Sequence, residues 1–176
     1  MLFPSFKKAA FSAILLCYAL LHAQETVPSW FLNRTVYYQG HTITIDSFLT
    51  LRRAHHQMVV FIFDNVLNLE DHPRLMNKAA RILRGFGERA SVRTDRIKVF
   101  FYLFVDPPDS VLIKEYFRKK KIARGVTLID IAPTFNNPLV NTWNITEYPF
   151  YLAFNYRKEI IYMGTDRHDL IRRLAQ

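Results

Sequence analysis

Met58 to Phe63 and Ile97 to Val105 are apolar at almost every position. Unbroken runs of this kind predict strands buried on both faces of a sheet, since a half-exposed strand would alternate. Val126 to Ile131 predicts a third, shorter strand, and Phe150 to Phe154 with Glu159 to Met163 an antiparallel pair around Asn155–Lys158. Between the first two runs, Leu75, Met76, Ala79, Ile82, Leu83 and Phe86 recur every three or four residues, which makes one apolar helical stripe. Asp71, His72 and Pro73 suit its first turn, and Gly85 and Gly87 its end. Asp109 or Ser110 would cap a second helix carrying Val111, Leu112, Tyr116 and Phe117. Thr165 or Asp166 would open a last one using Leu170, Ile171 and Leu174. Near the start, Val36–Tyr38 and Thr42–Ile45 flank Gln39-Gly40 as a β-hairpin, and Asp46 or Ser47 would cap a short helical turn through Leu51-Arg52-Arg53. The order β-α-β-α-β, closing with β-β-α, is an α/β layered domain with helices on both faces of a central mixed sheet.

The first 23 residues have another pattern: Lys7 and Lys8, an apolar run from Ala9 to Leu21, then Ala23. That is the order of a signal peptide, and the run is short against the ~20 residues that span a bilayer. The expected organisation is a signal peptide over 1–23, an N-terminal lead over 24–35 with freedom to move, and one domain over 36–176. Retention of the first segment as a membrane anchor is the alternative. Cleavage would remove two lysines and no acid, lowering the formal charge from +9 to +7. It would also remove Cys17, the single cysteine of the chain. Leu15-Leu16 in front of Cys17 are too large for a lipidation signal. An exported domain without disulfides must be held by its apolar core.

The stretch Trp143-x-Ile145-x-x-x-Pro149, followed by an apolar strand, a basic turn, a second strand and Gly164, resembles the TlpA/ResA-type thioredoxin-like family of exported bacterial disulfide reductases. The Asp106-Pro107-Pro108-Asp109 turn and the N-terminal hairpin resemble the family as well, and the likeness covers roughly 36–175. It implies a thioredoxin-like fold with a cis peptide bond before Pro149, and it places the substrate-pairing residue of the family on Tyr148. The family's Cys-x-x-Cys would fall on Asn68-Leu69-Glu70-Asp71, where neither end carries sulfur. Thiol–disulfide exchange needs a thiolate, so the departure removes the family's chemistry while leaving Asn68 and Asp71 as helix-entry caps and as one wall of a groove opposite Tyr148 and Pro149.

Other chemistry is weakly signalled. His41, His55, His56, His72 and His168 have no ligand-like spacing and adjacent His55-His56 would point apart in a strand, so no metal and no cofactor are expected. No nucleophile elbow or phosphate loop is present. Arg118, Lys119, Lys120 and Lys121 form a basic patch that suits a solvated helix end or an anionic membrane surface. No motif points to nucleic acid. Asn33-Arg34-Thr35 and Asn144-Ile145-Thr146 match the glycosylation acceptor pattern, which matters only in a eukaryotic secretory route. Trp30-Phe31, Tyr37-Tyr38 and Tyr148-Phe150-Tyr151 are the aromatics with a chance of exposure. The functional expectation is an exported, redox-inactive domain of a bacterial periplasm or cell envelope that binds protein or peptide through the Tyr148–Pro149 face. The alternatives are a cysteine-independent enzyme using Asp71 and His72 in the same groove, a structural envelope protein docking through its basic face, or a secreted or endoplasmic-reticulum domain.

Overall fold

The computed structural model describes residues 25–51, 58–65, 96–105, 111, 126–131 and 137–176. The expected signal peptide, Asn68, Asp71, His55, His56, His72, the Arg118–Lys121 patch and the two middle helices lie outside the described residues. Among the described residues there are four helices and seven strands: α1 (Ser29–Leu32), β1 (Thr35–Tyr38), β2 (His41–Thr44), α2 (Ile45–Leu51), β3 (Met58–Asn65), β4 (Ile97–Val105), β5 (Val126–Ile131), α3 (Pro138–Thr142), β6 (Phe150–Phe154), β7 (Ile160–Gly164) and α4 (Arg167–Leu174).

They build one mixed sheet in the order β2-β1-β5-β4-β3-β6-β7. Strands β3, β4 and β5 run parallel to one another, Phe61 lying opposite Phe100, and Tyr102 opposite Leu128. The hairpin β1–β2 and the pair β6–β7 are antiparallel additions on the two sides. The unbroken apolar runs are accounted for by side chains leaving both faces. Val59, Phe61 and Phe63 enter one core with Phe100, Tyr102, Phe104, Leu152 and Phe154, while Val60 and Ile62 enter a second with Phe101, Tyr151, Leu170, Ile171 and Leu174. The first core is largely aromatic: Phe61 stacks on Phe154 at 5.9 Å and Phe63 on Phe104 at 6.2 Å.

The hairpin turn uses positive φ at Gln39 (46°) and Gly40 (93°), the pairing that matches the twist of two-residue hairpins. The cap of α2 differs from expectation. Thr44, not Asp46 or Ser47, accepts the Ser47 backbone N–H at 3.2 Å, because Thr44 ends β2 with its hydroxyl level with the third helical position. Asp166 caps α4 as expected, accepting from the His168 and Asp169 N–H groups.

The lead is the main departure. Instead of moving freely, Glu25–Val27 lies antiparallel along the start of β7: the Ile160 N–H donates to the Glu25 carbonyl (2.7 Å) and the Val27 N–H to the Lys158 carbonyl (2.8 Å). Phe31 of α1 is fully buried. Its ring meets Phe61 at 5.6 Å, Trp143 at 4.8 Å and Tyr102 at 6.1 Å. The core therefore begins inside the segment assigned to the lead. Among the described residues no helix is long and apolar enough to cross a membrane.

Candidate functional site

The Tyr148–Pro149 bond is cis, at the position the resemblance implies. Pro149 immediately precedes β6, whose first residue Phe150 lies opposite Phe63 of the central strand. The site thus sits at the carboxyl end of the parallel strands, where open α/β sheets present their crevices. Tyr148 is half-buried, with its ring 6.1 Å from that of Phe104. Five residues before it stands Trp143, the residue that closes α3, and Trp143 packs on Trp30 (5.1 Å), Phe31 and Phe63 (5.7 Å). Trp30 remains 40% exposed. The Trp30–Trp143 pair and the Tyr148 ring border the same aromatic core, through Phe63 and Phe104, which stack on each other. Phe31, Phe150 and Tyr151, candidates for exposure in the sequence, are instead buried in the cores. Tyr37 and Tyr38 are half-buried.

Next to the Trp30–Trp143 contact in the chain lies a polar cluster that sequence reasoning missed. Arg34, at the turn between α1 and β1, donates from Nε to Asp130 Oδ2 (2.6 Å) and to the Tyr102 hydroxyl (3.1 Å). It also donates from Nη2 to Asn137 Oδ1 at 3.1 Å. The Tyr102 hydroxyl donates to Asp130 Oδ2 at 2.9 Å. Asn137 caps α3 by accepting the Leu139 N–H at 3.0 Å, with Pro138 at the first helical position. Asp130, Asn137 and Tyr102 are buried. An aspartate inside the apolar run of β5 was the available signal, since a buried carboxylate requires a partner. Asn137-Pro138 was the signal for α3.

Burial opposes the charge on Arg34, but the hydrogen bonds to Asp130 and Tyr102 and their charges carry its pKa upward on balance. Burial, then the adjacent Asp130 charge, pushes the Tyr102 phenol well above its ordinary value of about 10. A pKa raised in the folded state means that the folded protein holds this proton more tightly than the unfolded chain. The stability Tyr102 contributes is therefore complete below about pH 10 and is lost as pH rises toward its folded value. An alkaline titration followed by phenolate absorbance is expected to lose one late-ionising phenol on Tyr102→Phe; loss of an early one would contradict the buried placement.

No metal-holding group of three or more His, Cys, Asp or Glu side chains occurs among the described residues. The sequon asparagines Asn33 and Asn144 are both exposed. At the other end of the sheet a cleft of about 160 Å³ is bordered by Leu49, Thr50, Phe154 and Tyr156. The Asp46–Lys158 ion pair (2.7 Å) that edges it is half-exposed and contributes little to stability.

No family model and no curated protein matches the chain. Solved structures do. The C-terminal domain of a putative thiol-disulfide oxidoreductase from Bacteroides thetaiotaomicron is 12% identical, with 86% of this chain and 92% of that one covered and a TM-score of 0.52. The thioredoxin domain of a thiol-disulfide oxidoreductase from Bacteroides vulgatus is 8% identical, covering 87% and 97% with a TM-score of 0.51. A thioredoxin-like protein from Porphyromonas gingivalis is 12% identical, covering 81% and 90% with a TM-score of 0.51. At these identities the likeness establishes architecture and not activity. The fold is thioredoxin-like.

Proposed function

We propose that this protein is an exported thioredoxin-like domain of the TlpA/ResA type that has no thiol chemistry and binds an extended protein or peptide segment at the cis-proline face. The observation that carries the reading is the half-buried Tyr148 at the cis Tyr148–Pro149 bond, on the aromatic core that also carries the partly exposed Trp30–Trp143 pair. Aromatic rings that keep one edge wet supply contact area at low conformational cost. Asn68 and Asp71 would form the facing wall. Export to a bacterial periplasm or envelope follows from the pattern of residues 1–23, and the absence of cysteine from 24–176 leaves no nucleophile for disulfide exchange.

The test is a set of arrayed ten-residue unstructured peptides, read by the fluorescence of Trp30 and Trp143. Binding that weakens at least tenfold in both Tyr148→Ala and Trp30→Ala, with folding retained, is the expected result. Binding indifferent to both substitutions would place the site elsewhere, and no binding to any peptide would overturn the reading. The mature chain is expected to show no turnover in an insulin reduction assay; turnover would sink the thiol-free account.

A further inference from the structure

We infer that Arg34 and Asn137 are positioning residues that lock the 29–34 segment against the 137–143 segment and thereby set the Trp30–Trp143 contact and the start of the chain that leads to Pro149. The two segments run past each other in opposite directions and meet at two points. At one end the Arg34 guanidinium donates to Asn137; at the other Trp30 and Phe31 pack on Trp143. Asp130 and the Tyr102 hydroxyl hold Arg34 to β5 and β4, so the clamp is referenced to the sheet. The planar guanidinium can serve all three partners from a fixed fork, which a lysine cannot.

The chemistry of the cluster favours geometric specification over bare stability. Asn137 carries the helix cap and the Arg34 bond on one oxygen, while its amide nitrogen is buried without a hydrogen-bond partner among the described residues. A serine would cap α3 with no orphan amide, at the loss of the reach to Arg34. A buried charge pair is likewise a poor source of stability compared with apolar residues of similar size, and its best-attested use is to fix one arrangement among several. Here the arrangement fixed is the placement of Trp143, hence of the chain that runs on to Tyr148.

The chain contains two tryptophans, and both lie in this contact. Their rings, 5.1 Å apart at 52°, should give an exciton couplet in far-ultraviolet circular dichroism that reports the clamp directly. Trp30→Phe and Trp143→Phe should each abolish it, and a wild-type protein without a couplet would overturn the inference. Two variants then separate position from stability. Asn137→Ser keeps the cap and drops the Arg34 bond. The triple change Arg34→Met, Tyr102→Phe and Asp130→Leu replaces the buried charges by apolar volume. Each is expected to retain cooperative unfolding while losing at least half of the couplet amplitude; an unchanged couplet in either folded variant would overturn the clamp. Only the purpose of the clamp rests on the peptide-binding reading. Loss of the couplet with no peptide binding even in wild type sinks that reading alone, whereas a tenfold loss of binding alongside the couplet supports both.

Discussion

Phe31→Ala is expected to cost about 3–5 kcal/mol of folding free energy, the range for removing a fully buried aromatic ring with incomplete collapse of the cavity. For a domain whose whole stability is of the order of 5–15 kcal/mol, that is a large share. The argument rests on where the ring sits. Phe31 has no exposure, and it touches Phe61 and Phe63 from the central strand, Tyr102 from β4 and Trp143 from the end of α3. No one of those neighbours can move in to fill the gap without leaving another. Trp30, the preceding residue, is the control. It is 40% exposed, and Trp30→Ala should cost on the order of 1 kcal/mol, mostly its pairing with Trp143. Urea unfolding of the two variants gives the comparison: a midpoint shift several times larger for Phe31→Ala at unchanged slope is expected. Equal shifts would mean that the segment before residue 35 is not part of the core.

That segment also shows where the sequence stops being legible. The runs in β3 and β4 are long enough that continuous hydrophobicity implies burial on both faces, and the hairpin turn and the Asp166 cap are local chemistry that does not depend on distant partners. Trp30-Phe31-Leu32 gives no such signal. Four residues cannot display a helical period, and α1 begins after Pro28 without a side-chain cap. Its burial is decided by rings thirty to over a hundred positions away. The same limit divides the candidate site. Pro149 could be located because Trp143, Ile145 and Pro149 keep a fixed local spacing. Arg34 could not, because its partners are at 102, 130 and 137, and a lone arginine between a sequon asparagine and a threonine reads as surface. Asp130 in an apolar strand and Asn137 before a proline announce a buried partner and a helix start, but neither names Arg34.

Removing Arg34 should accordingly have an effect comparable with removing Phe31, by different physics. The Arg34 side chain is 17% exposed and that of Asp130 4%, so the pair is largely withdrawn from water. Arg34→Ala leaves the Asp130 carboxylate with the Tyr102 hydroxyl in the cluster and without its cation, and stranding a buried charge in this way typically costs about 3–5 kcal/mol. For a chain of this length the melting temperature should fall by on the order of 10 °C. Arg34→Lys should recover part of the loss, since an ammonium can meet Asp130 but cannot hold Tyr102 and Asn137 at the same time. The triple apolar replacement should be much less destabilised than Arg34→Ala although it removes more polar groups, because no charge is left without a partner. Salt provides an independent check. Exposed pairs weaken as the Debye length shortens to about 3 Å at 1 M, whereas a desolvated pair is screened far less. The stability difference between wild type and Arg34→Ala should persist at 1 M salt; a difference that vanishes there would mean that Arg34 and Asp130 meet in water and hold nothing in place.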